Sequence, residues 1–284
     1  MTTKPTQKEK ALKLYALHHT GKLLILPNIW DTLGALLLES LQFPAIATAS
    51  ASVAFSNGYN DGEQIPFSEV LIRLKQIASN VDIPVTADVE CAYAATDQQL
   101  RENIGLLVDT GIVGINIEDT NISSHGLNSI EEQCNRIRII KQVGQERDIP
   151  LFVNARTDVI IHGNLFPNEE AKFEEIIKRG LAYKEAGADC FYPILMKKEE
   201  DLKRLVAAID FPINVLTFPG IPSLKTLEEI GIARVSLGPN YLKLALKTMK
   251  DMALKLKDYE GLDEIVNNDV TSDYVKGLVN KRLD

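Results

Sequence analysis

The amino-acid sequence predicts an α/β protein of one (β/α)8 barrel, the TIM-barrel architecture, and three observations carry that expectation. Short β-rich apolar runs recur at intervals of roughly 20 to 40 residues. Each is followed by a longer amphipathic stretch, which is the alternation of a parallel sheet with crossover helices. No Gly-x-Gly-x-x-Gly follows the first run, so a doubly wound dinucleotide fold lacks its phosphate turn. Eight such units within 284 residues fit a closed barrel.

The predicted strands cover residues 23–26, 45–48, 84–87, 114–117, 151–154, 190–192, 213–216 and 234–237. They are short and nearly all apolar, as strands buried on both faces should be. The helices supply the 3.6-residue period. Phe67–Ala78 carries Val70, Leu71, Leu74 and Ile77 on one stripe, and the stretch 171–186 carries Phe173, Ile176, Ile177 and Leu181. Asp31, just past the first strand, is placed to cap a helix. After the eighth strand, Asn240–Lys257 reads as a basic amphipathic helix whose lysines form a solvated face. Residues 259–284 read as a polar helical tail, so the barrel domain is expected to span 1–258.

Composition narrows the function. The formal net charge is −8, with no basic footprint for a phosphodiester backbone, which argues against a nucleic-acid partner. The residues Cys91, Cys134 and Cys190 are odd in number, far apart and without a CxxC pair, so neither a disulfide framework nor a zinc site is suggested. The first residues lack the apolar core of a signal peptide, and no apolar run approaches the ~20 residues needed to span a bilayer. A soluble cytoplasmic protein is the expectation.

In barrels of this kind, chemistry sits just past the carboxyl ends of the strands. There the sequence places Thr48-Ala49-Ser50, Asp88-Val89-Glu90, Glu118-Asp119 and Asn154-Ala155-Arg156-Thr157-Asp158, with Asn214 inside strand seven. Asp88 and Glu90, two apart on extended chain, point the same way, and Glu118 comes from the next strand. Three carboxylates without His or Cys at metal spacing suit a hard ion, Mg²⁺ with Mn²⁺ as a substitute. The alternative is that these acids cap helices or pair with Lys and Arg. Arg156 at that depth needs an anion, either a substrate carboxylate or phosphonate or an internal acid such as Asp158 or Glu118. Thr48-Ala49-Ser50 could bring backbone N–H groups to an oxyanion, or form a plain turn. Cys91, with no base nearby in sequence, reads as a packing residue.

The motifs Leu26-Pro27-Asn28-Ile29-Trp30-Asp31, Thr48-Ala49-Ser50, Asn57-Gly58 with Asp61, Pro84-Val85-Thr86-Ala87-Asp88-Val89-Glu90, Asn116-Ile117-Glu118-Asp119, Asn154-Ala155-Arg156-Thr157-Asp158 and Gly187-Ala188-Asp189 stand in one order. On them the chain resembles the isocitrate lyase and phosphoenolpyruvate mutase superfamily, from residue 26 to residue 246. The resemblance implies Mg²⁺ held mainly by Asp88, with Asp61, Glu90 and Glu118 acting largely through bound waters. It implies that Thr48, Ala49 and Ser50 cradle the substrate carboxylate while Arg156 and Asn214 reach its other polar groups. It also implies a homo-oligomer, a dimer of dimers, in which the C-terminal helices from residue 240 onward are exchanged between subunits.

Departures from the pattern narrow the activity. Isocitrate and methylisocitrate lyases are similar but carry a Lys-Lys/Arg-Cys-Gly-His loop after strand four, where this chain reads Thr120-Asn121-Ile122-Ser123-Ser124-His125-Gly126. Their catalytic thiol is missing, their strand-six Glu is Ile194, and their Thr-Glu-Phe is Leu216-Thr217-Phe218. The Lys and Asn of the mutase gating loop have no clear counterpart, and Ala92 stands where a Gly precedes Tyr93 in a recurring variant. The resulting expectation is a lyase or decarboxylase that breaks a C–C bond next to the carbonyl of a small 2-oxo acid, or a 2-hydroxy relative, through a metal-stabilised enolate. Asp61, Arg156, Tyr93 and His125 form its expected catalytic set, with Tyr93 or His125 as proton donor. The rivals are a phosphonate C–P mutase or hydrolase, and a barrel that binds metal and keto acid without turnover.

Overall fold

The computed structural model describes residues 4–121, 124 and 126–280. Its strands are β1 (Leu24–Leu26), β2 (Asn28–Ile29), β3 (Ile46–Thr48), β4 (Val85–Asp88), β5 (Gly114–Glu118), the short pair β6 (Thr120–Asn121) and β7 (Gly126–Leu127), β8 (Phe152–Thr157), β9 (Cys190–Pro193), β10 (Asn214–Leu216) and β11 (Arg234–Ser236). All eight expected strands form. Four of them run further than expected, and three of these take in Asp88, Glu118 and Arg156, because their polar ends remain hydrogen-bonded in the ladder.

Every ladder but the β6–β7 hairpin is parallel. One runs β2-β3-β4-β5-β8-β9, a second runs β10-β11-β1, and the bridge Phe191↔Ile213 joins β9 to β10. At the other seam, Pro27 separates β1 from β2 because proline has no N–H for the ladder, yet its carbonyl accepts from Ala47 N at 3.0 Å. Asn28 closes the seam. Its Nδ2 donates to Thr48 O at 2.7 Å, and its Oδ1 accepts from Leu237 N at 2.7 Å and Gly238 N at 3.0 Å.

The helices are α1 (Gln7–Leu17), α2 (Thr32–Ser40), α3 (Ser50–Ser56), α4 (Phe67–Ala78), α5 (Asp97–Val108), α6 (Ile130–Glu146), α7 (Glu169–Glu185), α8 (Glu199–Ala208), α9 (Leu224–Ile230), α10 (Asn240–Lys257), α11 (Leu262–Val266) and α12 (Ser272–Asn280). Asp31 caps α2 through Gly34 N at 2.7 Å, as expected. Helix α1 packs under the barrel: Leu14 is buried, and His18 stacks on Phe152 with ring centroids 4.2 Å apart. Leu242 is the sole buried residue of α10, which leaves Leu244, Leu246 and Met249 exposed. Beyond it, α12 returns to α2 and buries Leu278. Among the described residues, no helix is long and apolar enough to cross a membrane.

The barrel interior departs from the all-apolar reading of its strands. Thr86, Asn116, Asn154, Asn214, Arg234 and Ser236 are all buried. Alternation along each strand gives the apolar positions to the helix-facing side and these polar ones to the lumen.

Candidate active site

The acids of strands three and four meet the start of α3 at the barrel mouth. Asp88 donates its backbone N–H to Thr48 Oγ1 at 3.3 Å, and its Oδ2 accepts from Ser50 Oγ at 3.3 Å. Ala49 is the N-cap of α3 and makes no side-chain cap bond. The first N–H groups of that helix therefore lack intrahelical acceptors, which is the donor arrangement expected of 48–50. Burial raises the proton affinity of Asp88; Arg156 opposes that shift and Asp61 reinforces it. Glu90 is pushed up to about 8, by burial first and then by Asp61 and Asp88. Glu118 is raised well above the usual carboxylate range by burial, against the pull of Arg156.

The carboxylates do not form a ready-made clamp. Both oxygens of Glu90 accept from Glu63 N, at 3.1 and 3.0 Å. Glu118 Oε2 lies 2.9 Å from Arg156 Nη1. Among the described residues, no three His, Cys, Asp or Glu side chains stand together closely enough to hold an ion directly. Each outer acid has a nearer donor, Glu63 N for Glu90 and Arg156 for Glu118. Arg156 is committed as well, with Nε 2.6 Å from Asp158 Oδ1 and Nη2 3.0 Å from Asp158 Oδ2. Of the two partners considered for it, the internal acids are the ones it holds in the unliganded chain.

Glu90 opens a strained turn. Its φ is 53°, that of Ala92 is 58° and that of Tyr93 is 53°, three left-handed values at non-glycine residues. Such a run persists only where its surroundings over-determine it. Glu63 Oε1 accepts from Cys91 N at 3.0 Å and Tyr93 N at 2.7 Å. Asn103 Nδ2 donates to Ala92 O and Tyr93 O, each at 2.9 Å, and Arg136 Nη2 donates to Cys91 O at 2.6 Å. Three side chains, one from the loop before α4 and one each from α5 and α6, clamp the turn that aims Glu90 and Tyr93. The Tyr93 phenol is held protonated by burial and by Glu90 and Glu63.

Asp119, next to Glu118, serves as an internal anchor. Fully buried, it accepts from Thr157 Oγ1 (2.7 Å), Asp158 N (2.8 Å), Arg179 Nη1 (2.8 Å) and Tyr183 OH (2.7 Å). It thus fixes the backbone whose carboxylate holds Arg156. Asn214 is buried in the lumen, where its Oδ1 accepts from Ser236 Oγ at 3.1 Å. Asp61 is exposed at the rim. The Cys91 thiol, raised far above its usual range by burial, rests 3.1 Å from Thr120 O, as a packing residue should. His125 lies outside the described residues. Glu63, Asn103, Arg136, Arg179 and Tyr183 escaped sequence reasoning, since no local pattern links them to the rim.

A parallel barrel with acids on one flank of its mouth and an arginine facing them defines a class of enzyme that handles small anionic substrates. Residues 14–257 match the phosphoenolpyruvate phosphomutase family, and the chain belongs to it, within the isocitrate lyase and phosphoenolpyruvate mutase superfamily. An uncharacterized protein of Mycobacterium tuberculosis is 31% identical over 90% of this chain and 93% of its own. The 2-methylisocitrate lyase of Bacillus subtilis is 26% identical over 92% and 87% respectively. A solved structure from Burkholderia cenocepacia, provisionally named a phosphonomutase, superimposes with a TM-score of 0.83 at 32% identity, covering 88% of this chain and 99% of that one.

Proposed function

We propose that the protein is a Mg²⁺-dependent lyase that breaks the C–C bond beside the carbonyl of a small 2-oxo acid or a 2-hydroxy relative. The observation that carries this reading is electrostatic. Asp61 raises the proton affinity of Asp88 and of Glu90, and Asp88 adds to the shift of Glu90, while the nearby guanidinium of Arg156 is already shared between Glu118 and Asp158. Negative charge in excess of its partners at an opening suits a hard divalent cation, held by Asp88 with Asp61, Glu90 and Glu118 acting through water. Mn²⁺ would fit the same oxygens. When bound, such an ion supplies Lewis-acid polarisation of the substrate carbonyl.

The chain's own residues do the rest. The N–H groups at the start of α3, beside Thr48, Ala49 and Ser50, receive the substrate carboxylate, and Asn214 offers an amide from the lumen. Arg156 releases one of its carboxylates to meet the substrate. Tyr93, held protonated on its clamped turn, delivers a proton to the carbon left by the departing fragment. The missing mutase gate residues favour this over a phosphonate reaction. A phosphonate C–P mutase or hydrolase is the second reading, supported by the family's name. A barrel that binds metal and keto acid without turnover is the third. Pyruvate release from a panel of 2-oxo acids, abolished by Asp88→Ala and by chelator, is the expected result. Turnover of phosphonopyruvate with none on any C–C substrate would reverse the ranking.

We also propose a cytoplasmic homo-oligomer, a dimer of dimers. The exposed apolar residues of α10, with the groove that Ile29, Leu37, Leu41 and Leu244 help to line, would be covered by the same helix of a second copy.

A further inference from the structure

The far flank of the mouth carries the opposite chemistry from the acidic strands. Arg156 on β8 is in register with Tyr192 on β9. The bridge Phe191↔Ile213 then sets Tyr192 beside Asn214 of β10, and Asn214 is in register with Arg234 of β11. Three neighbouring strands thus present a phenol, an amide and a guanidinium. Tyr192 is 4% exposed, and its hydroxyl makes no hydrogen bond among the described residues. Asn214 Nδ2 is sealed from solvent with no hydrogen-bond partner among the described residues, and so is Arg234 Nη1.

Arg234 is the anomaly. It is fully buried, and among the described residues its only side-chain hydrogen bonds run to neutral oxygens, Ser236 Oγ at 3.1 Å and Asn116 Oδ1 at 3.3 Å. Two other arginines set deep in the fold are paired with acids, Arg156 with Glu118 and Asp158 and Arg179 with Asp119 and Glu175. A buried cation without a counter-anion is strongly unfavourable. Water could satisfy its N–H groups but not its charge. Burial accordingly lowers the proton affinity of Arg234, with Cys190, Tyr192 and Asp88 as the negative or ionisable groups that oppose the loss. Asp88 of β4 is in register with Asn116, whose Oδ1 accepts from Arg234 Nη2, so this donor flank meets the acidic strands inside the barrel.

We propose that Tyr192, Asn214 and Arg234 form an oxyanion subsite that receives the distal carboxylate of a 2-oxo dicarboxylate. The proposal rests on the lyase reading and deepens it: the 2-oxo acid end belongs to the Asp88 side, and the far acid group supplies the charge that Arg234 lacks. Tyr192 and Arg234 are thereby substrate-binding residues that set specificity for a second acid group. A phosphonate would share this chemistry, and the test separates the two.

Calorimetric binding at saturating Mg²⁺ compares oxaloacetate with 2-oxobutyrate, which has a methyl group where the distal carboxylate would be, and with phosphonopyruvate. The wild-type chain is expected to prefer oxaloacetate over 2-oxobutyrate by about tenfold or more. Arg234→Met should weaken oxaloacetate by about 30-fold and leave 2-oxobutyrate within about twofold. The same substitution should hold or raise the melting temperature of the metal-free protein, because it removes an uncompensated charge. Tyr192→Phe keeps the shape, so it tests the subsite even if Arg234→Met does not fold; about a fivefold loss for oxaloacetate alone is expected. Equal losses for both 2-oxo acids, or a lowered melting temperature with the preference intact, would reduce these residues to structural ones and overturn the proposal. Tighter binding of phosphonopyruvate than of oxaloacetate would overturn its carboxylate assignment. Wild-type binding of 2-oxobutyrate with no preference for oxaloacetate sinks the subsite alone, whereas no binding of any 2-oxo acid sinks the lyase reading with it.

Discussion

At the scale of single residues, the mouth is a set of groups held in costly states. Glu90 has a proton affinity raised from about 4.5 to about 8. A carboxyl raised on folding gives stability that is fully present below its unfolded value and lost as pH rises through the folded one. The metal-free protein should therefore melt at lower temperature as pH goes from 5 to about 8, and Glu90→Gln should flatten that slope. Added Mg²⁺ should protect increasingly over the same range, since ion and proton compete for the same oxygens. A flat profile in the wild-type chain would contradict the charge crowding. Ala92 offers a second test, since at φ 58° its Cβ opposes the backbone. Ala92→Gly should be stabilising by about 0.5 to 1 kcal/mol in chemical denaturation. Glu63 is a third: Glu63→Gln keeps an oxygen that can accept from Cys91 and Tyr93, whereas Glu63→Ala removes it. Metal affinity is expected to fall by about tenfold for the alanine variant and to be largely retained by the glutamine one.

At the scale of elements, the network that ties β5, β8 and α7 through Asp119 is the strongest internal anchor of the site. Asp119→Ala would leave the buried Arg179 with Glu175 as its remaining carboxylate and strip Thr157 and Tyr183 of their acceptor, so a loss of about 3 kcal/mol is expected in urea unfolding. Arg156 should lose its fixed position with it. How much of this was legible in sequence depended on the reach of each interaction. Strands buried on both faces announce themselves as short apolar runs, and all eight were readable, with ends within one residue except that of β8, which runs three residues further. Rim residues such as Asp88, Glu118 and Arg156 were readable because they interrupt those runs. The strand β2, the β6–β7 hairpin and α3 were not, being two to seven residues long, too short for any period to show. Glu63 reaches Cys91 across 28 positions and Arg179 reaches Asp119 across 60, and no local pattern encodes either pairing. The polar lumen was hidden for a different reason: single Asn, Thr and Arg residues inside apolar runs look like exceptions until alternation lines them up on one side.

At the scale of the whole molecule, α10 displays Leu244 at 62% exposure and Met249 at 67%. An apolar face of that kind needs covering. Light scattering is expected to find a multimer, and Leu246→Glu to shift it towards smaller species while the circular dichroism of the barrel persists. A monomeric wild-type chain would remove the exchange of α10 from consideration. The seam at Asn28 has a consequence of a different kind, for the chain's history on the ribosome. That side chain waits for the backbone of Leu237 and Gly238, and Leu24 waits for Arg234. A nascent chain must therefore carry β1 as a bare parallel edge until nearly all of the barrel has been synthesised, and only then can the ring shut. Any fragment released short of β11 would keep that edge open and invite adhesion to its neighbours.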